Sequence, residues 1–571
     1  MPKVDTTVRE LVDMVRRGQL RLPEMQRRYV WPATRVRDLL DSLYRGYPSG
    51  TILVWETDQE APTRDLAVNQ ERNVFATQRL LLDGQQRVTS LSAVLNGQPV
   101  TVRNKKKPVE ILFNLNHPDG APIEMSEVED DQDSPIMDFD EEDAEEEPED
   151  LQGRLRRRAF VVSSKALLAD PLWIRVSDVF TKTDRAILKP LGDSLDDAAY
   201  DRYVGRLQRL RGIRDYPYVM HVLDRNLSYE EVAEIFVRVN SLGVKLRGSD
   251  LAMAQVTSRW QNSLKLLENF ADEVDQQSWF TLEVGLLVRA MVIFATKQSR
   301  FKTVQSMPVQ RMQEAWAEAT DAIRYAVNFL RTNASIEDES LLASPLLILA
   351  VAAFGSVHKY KVTAGEEADL LRWVLTANAR GHFSRGSSES ILDADLAVIF
   401  RDGSVQDLLT LLKQQFGRLH IEEQDFVGKG ARSPLFSTAY LALKSRGAKD
   451  WWSGLGLSLV HQGKLHYIEY HHIFPKAVLA KAGYDKSEIN EIANFAFISG
   501  RVNRSILAKE PRVYFPDIIA KRGTEALTAQ CIPTDKALWE VSAYRDFLAW
   551  RRNRLCEETN AIISGSIKTS A

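Results

Sequence analysis

The sequence predicts a multidomain α+β protein, with an N-terminal α/β domain over residues 1–215, a helical middle region over 216–430 and a C-terminal domain of strands and helices over 431–571. Three observations predict it. The length of 571 residues suits about three or four domains at roughly 100–200 residues each. Short apolar runs closed by turn residues alternate with helical spacing at the start, give way to long helical periodicity, and return near the end. A hydrophobic content of 44 % beside 27 % charged residues is that of a globular chain.

The elements follow in order. SGTILVW (49–55) reads as a strand after the turn at Tyr47-Pro48. RLLL (79–82) is a second apolar run, broken at Asp83-Gly84 and followed by QQRVTSLSAVL, whose spacing is helical. VEILFNL (109–115) is a third strand. Residues 127–150 hold fifteen Asp or Glu and no Lys or Arg. Like charges at that density repel and leave too little apolar surface to fold, so the segment reads as a disordered acidic loop, either a solvated linker or a DNA mimic over a basic groove. WIRVSDVF (173–180) resumes ordinary patterning. YEEVAEIFVRVNSL, SLLASPLLILAVAAFGSV and EEADLLRWVLTANAR then show helix spacing. Near the end, HYIEYHHIF reads as a strand, PKAVLAKAG as a helix, ANFAFIS as a strand or loop, and RVNRSILAK as the start of another helix.

Charge and cysteine usage exclude several classes. The formal net charge is −4, but with the acidic loop set aside 74 Lys and Arg face 63 Asp and Glu, a surplus of eleven basic groups. Residues 441–571 carry 19 basic and 13 acidic side chains. That balance permits nucleic-acid binding. Cys531 and Cys556 are too few for a disulfide framework or a thiolate zinc site. No run of about 18 apolar residues exists to span a membrane, and MPKVDTTVRELVDMVRRG holds no apolar signal core. The expectation is a cytoplasmic protein with no membrane partner.

Nine histidines occur in the chain, four of them between 461 and 472. His471-His472-Ile473-Phe474-Pro475 is followed by Asn494 and, nine residues later, by Asn503. A strand with His-His, a loop with Asn and a helix with Asn is the layout of a one-metal phosphodiesterase site. Hydrolysis needs an activated water, and neutral imidazole suits that proton near pH 7. His472 is the candidate base. A divalent cation would stabilise the developing charge, held by His471 and Asn503. Asn494 completes the catalytic set by bonding backbone and fixing the loop after His472. Successive strand residues point to opposite faces, so sharing one site requires a kink near Pro475 or a metal bridging from one side. The alternative is a pair of packed histidines at a strand end. HHIFP…N…N resembles the HNH, or ββα-metal, nucleases. The resemblance implies a ββα-metal fold for the C-terminal domain and Mg²⁺ or Mn²⁺ as cofactor. Many relatives carry Asp where this chain has His471, which favours the softer Mn²⁺.

In the N-terminal domain, Leu82-Asp83-Gly84-Gln85-Gln86-Arg87 takes an apolar strand through a tight turn into a helix. A helix N-terminus offers free N–H donors and a partial positive charge, which suits a phosphate. Gly84 lets the backbone come close, Arg87 can pair bidentately with phosphate, and Asp83 can hold a metal or orient a water. Gln26 and Arg27 can arrive from the loop Leu22–Trp31. Asp83 can equally cap the helix and Arg87 pair with an internal acid. PxxQRxYVW, YPSGTILVW, DGQQR and FVRVNSLGVKLRGSDL (236–251) together resemble the first domain of GmrSD-type modification-dependent restriction enzymes. The resemblance implies a ParB/sulfiredoxin-like α/β fold for that domain, nucleotide binding or hydrolysis with GTP as the nucleotide, and a C-terminal HNH nuclease in the same chain. SspE-type phosphorothioate-sensing effectors share the layout. By position, Asp83, Gly84, Gln85, Gln86 and Arg87 are the nucleotide motif, and Gln26 and Arg27 its companion. Phe236, Arg238, Asn240, Gly243 and Asp250 match a further motif. Arg238 and Asn240 are counted with the nucleotide site, and their spacing suits a segment leaving helical geometry near Asn240-Ser241. No G-x-x-x-x-G-K-[ST] phosphate loop occurs.

Three other features carry two readings each. Arg380 and Arg385 in ARGHFSRGSSES can contact a DNA backbone, or the stretch can join helices with Ser387 or Ser388 as an N-cap. Trp451 and Trp452 can stack on a base or pack beside the C-terminal module. RRNRLC (551–556) can touch phosphate or be solvated. The resemblance implies a phage-defence endonuclease whose partners are a nucleotide and modified phage DNA or host-marked DNA. Glucosylated bases and phosphorothioate backbones both suit the family, and a homo-oligomer is compatible with it. The alternatives are a non-cleaving DNA-binding sensor and an RNase-type toxin.

Overall fold

The computed structural model describes residues 2–24, 31–57, 63–64, 66, 78–100, 108–118, 120, 155–194, 196–242, 248–278, 280–451, 453–457, 468–499, 506 and 509–565. The acidic loop over 127–150 lies outside them. The described chain divides into two units, one ending at Leu264 and one starting at Lys265. Among the described residues, no helix is long and apolar enough to cross a membrane.

The first unit is built on a mixed sheet. Its strands are β1 (Lys3–Thr7), β2 (Leu20–Pro23), β3 (Ile52–Thr57), β4 (Thr63–Arg64), β5 (Gln78–Asp83) and, much later, β9 (Pro217–Leu223), in the order β1-β9-β3-β5-β2-β4. A small antiparallel sheet holds β6 (Ile111–Asn114) between β7 (Phe160–Val162) and β8 (Trp173–Arg175). The period-2 pattern of the large sheet buries both faces. Ile52, Val54, Leu81, Met220 and Val222 face a core shared with α1 (Val8–Arg16), α2 (Ala33–Arg45) and α3 (Gln85–Leu95). Leu53, Trp55, Leu80, Leu82 and Leu223 face Val232 and Phe236 of α4 (Tyr229–Leu242) and Ala254 of α5 (Gly248–Arg259). Because β9 lies between β1 and β3, the sheet is complete only beyond residue 215. α1 begins in a capping box, with Thr7 N–H donating to Glu10 at 2.9 Å and Glu10 N–H to the Thr7 hydroxyl at 3.3 Å.

The second unit is helical before residue 445. Leu346–Val357 is apolar all round, and Leu347 to Gly355 are all buried, as expected of a helix enclosed by others. It packs on Val309–Thr332, which also covers Val284–Thr296. Ser387 caps Ser388–Ile399, accepting from Ser390 N–H. Arg380 is held by Asp425 at 3.2 Å and by the His420 carbonyl, and Arg385 lies over the Phe416 ring. The loop reading of ARGHFSRGSSES is thus a capped connection whose arginines bond within the fold.

A buried polar group fastens these helices. His382 Nε2 lies 2.8 Å from Asp395 Oδ2, and both side chains are enclosed. Gln415 donates its amide to the His382 carbonyl at 3.1 Å, which turns its oxygen toward His382 Nδ1. Both ring nitrogens therefore face acceptor oxygens. Burial pushes the Asp395 carboxyl up from its ordinary range, against the His382 hydrogen bond. Removing one partner strands the other, at a cost of about 3–5 kcal/mol. His382→Ala is expected to lower the urea midpoint for loss of helical circular dichroism; an unchanged midpoint would show that the pair adds nothing to stability.

Candidate functional site

Two constellations come from the folded elements, one in each unit. In the first unit, β2 and β5 are parallel neighbours, so the segment after Pro23 and the Asp83-Gly84 turn leave the sheet at the same edge, where α/β sheets place ligands. β3 runs antiparallel to β5, which sets its start beside Asp83. Gly84, at φ 95°, adopts the left-handed conformation that starts α3. Arg87, one turn in, reaches back to Asp83 Oδ2 at 3.2 Å, to the Thr51 carbonyl at 2.8 Å and to the Ser49 carbonyl. Gly50 is needed for this approach, since a Cβ there would lie 2.1 Å from Arg87 Nη1. Ser49 donates its hydroxyl to Tyr218 at 2.6 Å. The Gln86 side-chain oxygen accepts from Trp31 N–H at 3.2 Å, so the end of the Leu22–Trp31 motif is tied to the second motif. Gln85 is buried.

Gln26, Arg27 and Gly243 lie outside the described residues. Arg238 pairs with Glu234 on the exposed side of α4, while Phe236 is in the core beneath the sheet. Asn240 lies inside α4, which continues to Leu242. The helix is described to Leu242, one residue past Ser241, which agrees with the expected departure from helical geometry near Asn240-Ser241. A residue not singled out in sequence is Glu24. It is buried after β2, and its carboxylate accepts from Asn262 N–H and Leu264 N–H, each at 2.9 Å. These are open donors at a helix start.

In the second unit, β10 (Ile468–His472) pairs antiparallel with β11 (Phe495–Ser499), with His471 opposite Ala496 and His472 opposite Phe495. Both histidines stay in the ladder without a kink, so the strand alternation sends them to opposite faces. His471 is buried, with its ring 6.3 Å from Trp451 and 5.9 Å from Tyr514. His472 is half-buried between Tyr470 and Phe495, and its Nε2 lies 3.1 Å from Asn490 Oδ1. Burial, then the positive charge of Lys476, pushes the His472 imidazole down to about 3, so the ring is neutral at physiological pH.

Asn494 is fully enclosed and spends its whole amide on backbone. Its oxygen accepts from Phe474 N–H at 2.9 Å, and its nitrogen donates to the carbonyls of Phe474 at 3.1 Å and Ile489 at 3.0 Å. Its own carbonyl accepts from Ile473 N–H at 2.8 Å. The turn after His472 is thereby clamped to the segment before β11. Only an amide supplies an acceptor and two donors on so short a stem.

Helix Tyr544–Ile563 supports this clamp. Arg551 is wholly buried and donates to the carbonyls of Ala493 at 2.8 Å, Gln530 at 3.1 Å and Cys531 at 3.1 Å. Burial brings its guanidinium down to about 10. Arg552 pairs bidentately with the buried Glu491, at 2.6 and 2.7 Å. These contacts correct the reading of RRNRLC as a solvated or phosphate-touching run at Arg551 and Arg552, while Asn553 is exposed. The outer edge of β11 is closed by side chains. Gln530 exchanges two 2.8 Å bonds with the Phe497 backbone, and Asp450 accepts from Ser499 N–H at 2.7 Å. Trp451 packs in the core of this module, and Trp452 lies outside the described residues.

Among the described residues, no three His, Cys, Asp or Glu side chains gather closely enough to hold a metal. His471 is the described member of the expected ligand pair. Asn503 lies outside the described residues. What is assembled is a neutral, oriented imidazole at a strand end on a rigid turn, and a second imidazole across the strand.

Residues 8–257 match the family model of the GmrSD restriction endonuclease, N-terminal domain. The matched stretch runs through the mixed sheet, past β9 and into α5. The chain is also similar to an uncharacterized protein of Methanocaldococcus jannaschii, with 22% identity over 567 residues, covering 91% of this chain and 88% of that protein.

The Asn494 clamp makes a stability prediction. Asn494→Asp keeps the acceptor for Phe474 N–H but loses both donors and buries a carboxylate. It is expected to cost about 3 kcal/mol, and to speed proteolysis between β10 and β11 in limited digestion. Digestion at the wild-type rate would show that the turn does not depend on this amide.

Proposed function

We propose, from an N-terminal domain of the GmrSD restriction endonuclease type over residues 8–257, that the chain is a phage-defence DNA endonuclease. In this reading the second unit cleaves and the first binds a nucleotide. The observation that carries the cleavage half is His472: a neutral imidazole on the β10 end, ahead of a turn that Asn494 holds with three hydrogen bonds. A neutral imidazole carries an open lone pair, the form in which a general base must meet the proton of a water. His472 takes the proton of a water whose oxygen bonds to phosphorus, and the P–O bond to the leaving sugar oxygen breaks. Asn494 touches no substrate, and its part is to position the turn. His471 stands on the opposite strand face from His472, so a divalent cation, Mg²⁺ or Mn²⁺, held by His471 and Asn503 would bridge to the scissile phosphate from that side and, when bound, would neutralise charge on it.

The nucleotide half rests on the shared edge of β2, β5 and the start of α3. Asp83, Gly84, Gln85 and Gln86 border that edge, Gln26 and Arg27 are assigned to this half by likeness to the family, and the α3 N-terminus offers donors for phosphate. GTP is the nucleotide we assign, by likeness to the family. Arg87 is engaged with Asp83 and two carbonyls, so its part is to hold the Ser49–Thr51 strand entry against the turn. Arg238 and Asn240 lie on α4, behind the sheet, and are retained as residues of this half. DNA carrying a base or backbone modification is the proposed substrate, and the nucleotide is proposed to gate its cleavage.

The test is a plasmid assay with Mg²⁺ or Mn²⁺ and GTP, using unmodified, glucosylated and phosphorothioated DNA side by side. Cleavage restricted to one modified DNA is expected, and no cleavage of any DNA would overturn the reading. Arg87→Ala is expected to abolish GTP turnover. Turnover at the wild-type rate would remove the nucleotide assignment and leave the cleavage half standing.

A further inference from the structure

The orientation of His472 is set by a side chain that no motif marks. Asn490 follows the short helix Lys486–Ile489 and stands four residues before Asn494. Its amide nitrogen donates to the Lys486 carbonyl at 3.1 Å. That bond fixes which end of the amide is oxygen, an assignment otherwise ambiguous by shape. The oxygen then faces His472 Nε2 at 3.1 Å. An oxygen acceptor requires a donor opposite it, so Nε2 carries the proton in the neutral ring. The other nitrogen, Nδ1, keeps its lone pair and has no hydrogen-bond partner among the described residues.

We propose that Asn490 is the positioning residue of the His472 site, holding the imidazole in its Nε2–H tautomer so that Nδ1 is the atom that receives the proton. The role of Nδ1 in cleavage rests on the nuclease reading above, while the tautomer does not. The device is economical in geometry. The Lys486 carbonyl orients Asn490 and Asn490 orients His472, while Asn494 holds both the His472 turn, through Phe474, and the end of the Lys486–Ile489 helix, through the Ile489 carbonyl. One amide therefore fixes the base and its orienting residue together. Loss of such a supporting bond lowers activity by roughly 10- to 100-fold without removing the acting group.

The experiment is long-range proton–nitrogen NMR on the full chain labelled with ¹⁵N-histidine, at a pH where the ring is neutral. The nine histidines are few enough to separate, and the signals missing in His472→Gln identify this ring. The expected pattern has a protonated Nε2 and a bare Nδ1 in wild type. In Asn490→Leu, which offers no acceptor, the expected pattern is a mixture of tautomers. Asn490→Asp restores an acceptor and is expected to restore the wild-type pattern. A protonated Nδ1 in the wild type overturns the proposal, as does an Asn490→Leu spectrum identical to it. In parallel, cleavage by Asn490→Leu is expected to lose kcat by roughly 10- to 100-fold at unchanged KM, with recovery in Asn490→Asp. Absence of cleavage in every form, beside the expected tautomer, would overturn the nuclease reading and leave the tautomer assignment in place.

Discussion

One buried amide holds the C-terminal constellation together. A two-stranded sheet is marginal in water by itself, and β10 with β11 has no third strand among the described residues. Asn494 compensates by joining the turn after β10 to the segment before β11 through three side-chain bonds and one from its carbonyl. Everything else on this hairpin is arranged around that join. Arg551 draws the Ala493 carbonyl onto the last helix, Glu491 is locked by Arg552, and Gln530 stands in for a missing strand beside Phe497. The arrangement follows from the demand that buried backbone groups be paired. It also ties down the turn that directly follows His472, the support that the proposed proton-accepting role would require.

The N-terminal constellation uses the same physical device with a different side chain. Arg87 gives its donors to two carbonyls at the start of β3 and to Asp83 at the end of β5. It thus locks two strand ends whose hydrogen bonding would otherwise stop at the sheet edge. Gln86 ties in the chain at Trp31, and Glu24 closes the helix start at Asn262–Leu264. Each polar residue of the DGQQR motif whose contacts are described thus has a structural duty. That duty does not compete with a ligand at the α3 N-terminus, whose first N–H groups lack helical partners.

Local pattern carried much of this. The runs at 49–55, 79–82 and 109–115 became β3, β5 and β6, and HYIEYHHIF and ANFAFIS became β10 and β11 within a residue or two of the apolar limits. The sequence places His471 and His472 on a strand and Asn494 on a loop, and Asn494 stands just before β11. Partnerships between distant residues were not legible. Nothing near Pro217–Leu223 says that it enters the sheet between β1 and β3, because periodicity reports burial and not neighbours. Asn490, Glu24 and Arg551 carry no pattern of their own: an Asn after a short helix, a Glu after a strand and one Arg of a basic run acquire meaning only from carbonyls, amides or a ring brought in from elsewhere. The RRNRLC run shows the limit well, since a charged run on a helix ordinarily reads as a solvated face, yet Arg551 is in the core.

The measurement that bears most directly on the account is the rate of nicking of a susceptible plasmid by wild type and by His472→Ala, with Mn²⁺ or Mg²⁺ at neutral pH. A loss of roughly 10²- to 10⁴-fold is expected, the usual contribution of a positioned general base. Cleavage by His472→Ala at the wild-type rate would contradict it and move the chemistry, if any, away from the β10–β11 hairpin.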